Sequence, residues 1–404
     1  MTKTISKLKN NIEYIYKKNE NTPRIALCLN FSINNPDKRA GIYSLMTRLL
    51  LQGTKNYNTE ELANEFEKYA IDFSSELLPN YLRLRFVCLN EDFPKAIELM
   101  NEVITNSTFD EFEKERIKLI GEISAELDSP RAVAMDAYAR ATFGDHYYGN
   151  STTKILENIN DITKGDVVEA YNQILTDSKK SLAIVGALEQ DSIMPEIEKT
   201  IEKLPQSVDN HFNIEKPILK ETKKIENIKS DLNQAHIIKG WPVATLGDED
   251  YPAIILLNII LGACGLSSRL FLELRDKKGL AYVVRSSCET FKKAANFMIY
   301  IATEPKNIEV SLKGFNEEIE KIKTIPVSEK ELEDAKNNLI GKCAFMEETN
   351  MQQACGYAKY DILGLGFEYS DTLKEKVKQV TSEQILKCAQ KYFNDTYVIS
   401  IIKP

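Results

Sequence analysis

"ITKGDVVEAYNQILTDSKKSLAIVG" (162–186) and "VTSEQILKCAQKYFNDTYVISII" (380–402) resemble each other, each passing from helically spaced apolar residues to an apolar run of strand type. They lie 218 residues apart. "KLIGE" (118–122) and "NLIGK" (338–342), each late in a long acidic helix, repeat at an offset of 220. Two matches in the same order at nearly one spacing indicate an internal duplication of about 220 residues. Between the halves, "LPQSVDNHFNIEKPILKET" (204–222) is polar, holds two prolines and has no sustained period, so it reads as a linker. The expected domains are therefore 1–203 and 223–404.

Outward from that repeat, the order of elements is mixed. "RIALCLNFSI" (24–33) and "YLRLRFVCL" (81–89) read as strands, and a helix over about 109–128 is closed by Pro130. We expect an α+β fold: two homologous domains of about 200 residues, each a mostly antiparallel sheet packed by helices.

Composition narrows the function. With 43% hydrophobic and 28% charged residues the chain reads as a soluble globular protein, and no run approaches the ~18 apolar residues of a membrane span. A net charge of −8, with 52 basic and 60 acidic residues interspersed, leaves no basic stripe for nucleic acid. The N-terminal stretch lacks a signal-peptide pattern, and seven scattered cysteines fit reduced thiols, so we expect a cytoplasmic protein. His146, His211 and His236 are far apart, and no pair has ligand spacing.

One helix is puzzling. "GIYSLMTRLLLQGT" (41–54) is apolar, yet Ser44, Thr47 and Arg48 share one face through their i, i+3, i+4 spacing. Another segment, "SSRLFLELRDKKGLAY" (267–282), reads as a helix that Ser267 or Ser268 could cap, with Lys277 and Lys278 at its C-terminal end and Gly279 as a left-handed stop. Arg275 then stands near the helix end and Tyr282 on the strand that follows. The plain reading pairs Arg275 with Asp276 or Glu273 at the surface.

The whole chain resembles the insulinase/pitrilysin family of metallopeptidases, in the branch of short two-domain subunits that includes mitochondrial processing peptidase. "LNIILGACGLSSRLFLELRDKKGLAYVVRSS" (257–287) is similar to the family's second-domain signature, and "FPKAIELMNEVITNSTFDEFEKERIKLIGEI" (93–123) to that of the first domain. In catalytic members the helix matching 41–54 carries His-x-x-Glu-His, two zinc ligands and a general base on one helix face, with a later Glu as third ligand. The matching residues here are Ser44, Thr47 and Arg48, with Glu122 at the later position; serine is a poor zinc ligand and arginine repels a dication. Glu122 paired with Arg48 is the plain reading of that position.

By the same resemblance Arg275 and Tyr282 match the family's substrate-binding pair, which faces the zinc across the cavity. The resemblance thus implies a non-catalytic, substrate-binding subunit of a heterodimeric zinc endopeptidase acting on extended peptides. It implies no cofactor in this chain, and a paralogous partner with intact His-x-x-Glu-His that holds the zinc. The alternative is a peptide-binding or scaffold protein of the same fold with no proteolytic role.

Overall fold

Eleven strands fall into two sheets in the computed structural model, which describes residues 3–209, 212–230 and 232–404. The first sheet comprises β1 (Lys3–Lys7), β2 (Glu13–Lys18), β3 (Arg24–Ser32), β4 (Asp72–Leu78), β5 (Tyr81–Leu89) and β6 (Lys180–Gly186), in the order β1-β2-β6-β3-β5-β4. The second comprises β7 (Lys223–Ile228), β8 (Ala235–Pro242), β9 (Ala281–Thr290), β10 (Ala295–Thr303) and β11 (Val398–Lys403), in the order β7-β11-β8-β10-β9. Apart from β1 the orders are the same. Each sheet has one parallel pair, β2 with β6 and β7 with β11, and every other pairing is antiparallel. The duplicated α+β fold expected from the sequence is present.

The repeated segments occupy equivalent places. Thr163 and Thr381 each open a helix (Lys164–Thr176 and Ser382–Tyr392) with a capping box, closed by Asp166 and by Gln384. That reciprocal hydrogen bonding satisfies amide groups left orphaned at a helix start. Each helix leads into the strand, β6 or β11, that forms its sheet's parallel pair. Both strands are apolar because they lie inside the sheet with both faces covered; β6 is buried throughout and β11 up to Lys403.

The packing units are not contiguous in sequence. One unit combines residues up to 122 with 154–214 and 344–370; the other combines 123–153, 215–343 and 371–404. The Asn350–Ile362 helix packs on β3 and β6, where Ala354 and Ala358 are buried against Ala26, Cys28, Ala183 and Val185. Its counterpart, the Pro130–Phe143 helix, packs on β11, β8 and β7, with Ala134 and Tyr138 against Ile238, Val398 and Ile402. Each half of the sequence therefore supplies one helix to the other half's sheet.

Several local readings shift. Pro130 follows the Phe112–Leu127 helix after a two-residue break and opens the next helix at its first turn, where a missing N–H costs nothing. Strands β1 and β2 precede the first strand expected from the sequence. Within 204–222 the described residues form no helix or strand.

Candidate functional site

The Ile42–Leu49 helix starts from Gly41, whose φ of +108° lies in the left-handed region; a Cβ there would come within 3.0 Å of the Ile155 side chain. Ile42, Tyr43, Leu45, Met46 and Leu49 are buried, which fixes the rotation of the helix and aligns its remaining face. On that face Ser44 is half-buried. Thr47 is buried, and its hydroxyl donates to the Tyr43 carbonyl at 2.8 Å, so it is engaged within its own helix.

Arg48 closes the face. Its two terminal nitrogens donate to the two oxygens of Glu122 at 2.8 Å each, in a bidentate fork. Its Nε donates to Glu115 at 3.2 Å. Glu115 and Glu122 are seven residues apart on the Phe112–Leu127 helix and so share a face. Glu115, with a side chain only 3% exposed, also accepts from Lys118 at 2.6 Å. The paired Glu122 holds the Arg48 guanidinium above its ordinary pKa, and Arg48 holds the Glu122 carboxyl below its own. Glu115 escaped the sequence reading; its position one heptad before Glu122 was the available signal.

This cluster does not fit a zinc ion. Both Glu122 oxygens are taken by a permanent cation, Thr47 bonds its own helix, and Ser44 is a weak ligand. Among the described residues no group of three or more His, Cys, Asp or Glu is placed to hold a metal. His146 accepts from the Tyr148 amide and bonds the Glu215 carbonyl, and His236 bonds the Tyr300 hydroxyl at 2.8 Å with burial lowering its pKa. His211 lies outside the described residues.

The second candidate lies in the other unit. The Tyr251–Asn258 helix continues into a π-helical turn, Ile259–Ala263, and a second π-helical turn spans Phe271–Lys277. Such widened turns occur disproportionately at functional sites. Gly262 allows the first turn to press on β9, since a Cβ there would sit 2.3 Å from the Ser286 amide nitrogen. Leu274 is fully buried, facing Gly314, and anchors the second turn. Gly279, at φ +61°, ends it: its amide donates to the Arg275 carbonyl at 3.2 Å, the 5→1 bond of an αL cap, and the Leu280 amide donates to the Leu274 carbonyl at 2.9 Å. Neither Ser267 nor Ser268 caps it by its side chain: the Ser268 hydroxyl donates to the Gly265 carbonyl, and that of Ser267 contacts Cys264.

This frame presents Arg275. Its guanidinium carbon lies 4.5 Å from the centroid of the Phe271 ring and 4.6 Å from that of Tyr282, between two aromatic groups. Glu273 pairs with Lys277 instead, and Arg275 makes no ion pair or hydrogen bond among the described residues. Tyr282 is 77% exposed on β9, an edge strand, and its hydroxyl has no partner among the described residues. The stacking holds the guanidinium by its faces and leaves its N–H edge open. An open guanidinium edge and a phenol beside an unpaired strand edge can donate to the carbonyl oxygens of an extended peptide.

The duplicated sheets and the two signature segments define a two-domain peptidase-type fold. The chain belongs to the insulinase/pitrilysin (M16) family: residues 12–154 match the profile of insulinase (peptidase family M16), and 161–339 that of the peptidase M16 inactive domain. It is 25% identical over 370 residues to an uncharacterized zinc protease of Bacillus subtilis, covering 90% of this chain and 88% of that one. It is 25% identical over 420 residues to an uncharacterized zinc protease of Rickettsia felis, covering 99% and 97%. A protease from Helicobacter pylori shares the fold at a TM-score of 0.91 and 20% identity, over the full length of both chains. So does a peptidase M16 inactive domain from Pseudomonas fluorescens, at 0.88 and 22%, covering 100% of this chain and 98% of that one. No helix among the described residues is long and apolar enough to cross a membrane.

Proposed function

We propose that this chain is the non-catalytic, substrate-binding subunit of a heterodimeric zinc endopeptidase that cleaves extended peptides. The observation that carries the reading is Arg275, held between two aromatic rings with its donors free, beside the exposed Tyr282 on an edge strand. A surface arginine of no function would ordinarily turn to a nearby carboxylate. The Arg48 cluster supports the other half of the reading, because a guanidinium fills the place of the zinc motif and leaves the metal to a paralogous partner with intact His-x-x-Glu-His. Seven cysteines, none in a disulfide among the described residues, fit a cytoplasmic setting.

In this assignment Arg275 and Tyr282 donate to main-chain carbonyls and fix the register of a peptide added along a strand edge, while the partner supplies the hydrolytic chemistry. Extended, short peptides are favoured over folded proteins, whose strands are already paired.

The test is Arg275→Ala in the reconstituted pair. Loss of a charged hydrogen-bond donor predicts kcat/KM on an unstructured peptide about 10- to 100-fold lower, with an unchanged melting temperature. Unchanged turnover would favour a scaffold role for the fold.

A further inference from the structure

Strand β3 and the Asn350–Ile362 helix bring two cysteines together inside the first unit. Cys28 is fully buried on the face of β3 that the helix covers, and Cys355, half-buried, packs against the same apolar cluster. Burial and then Cys355 push the Cys28 thiol up, and Cys28 lowers that of Cys355. Cys355 also contacts the Met351 sulfur at 3.5 Å, and Cys28 the Asn30 amide oxygen at 3.5 Å.

The surroundings are electropositive. In the β3–β5 ladder Cys28 lies directly across from Arg85, and Asn30 across from Arg83. One carboxylate, Glu76, pairs with both guanidinium groups, at 3.1 Å from Arg83 and 2.7 Å from Arg85. Arg83 Nε and the Asn30 amide nitrogen are buried without partners. Lys359, one turn beyond Cys355, forms no ion pair among the described residues, and burial followed by the Arg83 charge lowers its pKa. Three cations thus face one carboxylate, and a partly buried cation without a counter-charge is costly. An ionised thiol supplies the missing negative charge.

We propose that Cys355 is a redox-reactive thiolate and Cys28 its resolving thiol, so that a hydroperoxide converts the pair into a disulfide joining β3 to the Asn350–Ile362 helix. The Cys355 sulfur attacks one peroxide oxygen, the O–O bond breaks, and hydroxide leaves and takes a proton from solvent. The Cys28 sulfur then attacks the resulting sulfenic acid, the S–O bond breaks, and the departing oxygen leaves as water with the Cys28 proton. Two thiols lose two electrons, and hydrogen peroxide becomes two waters. The product fastens a helix from the C-terminal half of the chain onto the first sheet.

Three other thiols differ in kind. Burial pushes Cys88, Cys288 and Cys388 up to about 12. Cys355 moves the opposite way, lowered first by the neighbouring Cys28 and, against the effect of burial, by the charges of Arg83 and Arg85.

The full-length protein treated with hydrogen peroxide and digested without reduction tests this. The expected product is a Cys28–Cys355 cross-linked peptide. In untreated protein Cys355 should react with iodoacetamide about tenfold faster than Cys264 or Cys343, and Lys359→Met or Arg85→Gln should slow it severalfold. Both positions are partly exposed, and an unchanged melting temperature checks that each variant is folded. Absence of the cross-link, with Cys264 or Cys343 labelled first, would overturn the assignment.

Discussion

Arg48 carries a clear physical signature, a side chain of fixed charge held by two carboxylates of a neighbouring helix. It holds an exposed carboxylate, Glu122, and a buried one, Glu115, at once. Arg48→Ala should therefore cost about 1–3 kcal/mol of unfolding free energy at neutral pH in urea titrations, mainly by leaving Glu115 with Lys118 alone. The Glu122 share has a definite pH dependence. Its folded pKa is lowered, so its contribution is complete above the unfolded carboxyl value of about 4.3 and is lost as pH falls through the folded value. The gap between wild type and variant should narrow below about pH 4; a gap independent of pH would remove Glu122 from the account. At this scale much was legible: Ser44, Thr47, Arg48 and Glu122 are four letters at known spacing. Glu115 was not, because its role arises only when two helices meet.

At the scale of elements, the duplication could be read because helix-to-strand order and apolar spacing survive in a single sequence. The exchange of the Pro130–Phe143 and Asn350–Ile362 helices could not, since periodicity gives a helix an apolar face without saying which sheet it covers. Strand β2, "EYIYKK", hides for a related reason: it ends in two lysines and is apolar over only a few residues. The same limit applies to close approaches. Gly262 sits in an unremarkable apolar run, yet the fold presses it against the β9 backbone at Ser286. Gly262→Ala should force the two apart, lowering stability by about 1–3 kcal/mol and weakening peptide binding at Tyr282 on the same strand. Full stability in a thermal melt, with unaltered binding, would mean that the π-helical turn does not set the position of β9.

At the scale of the whole molecule, two side-chain arrangements, one in each unit, carry the proposed function. Arg48 sits in an internal ion cluster with Glu115 and Glu122, while Arg275 and Tyr282 stand without an ion pair or hydrogen bond among the described residues. On the proposed function an isolated chain would hold a peptide without cutting it, and activity should depend on association with a chain that has the complementary equipment. The most direct measurement is zinc content and partner composition after native purification of the tagged protein from its own cells. The account predicts a stoichiometric partner of similar length carrying His-x-x-Glu-His, about one zinc per pair, and no zinc or peptidase activity in this chain alone. A chain recovered without a partner, or one that binds zinc and cleaves peptides by itself, would contradict it.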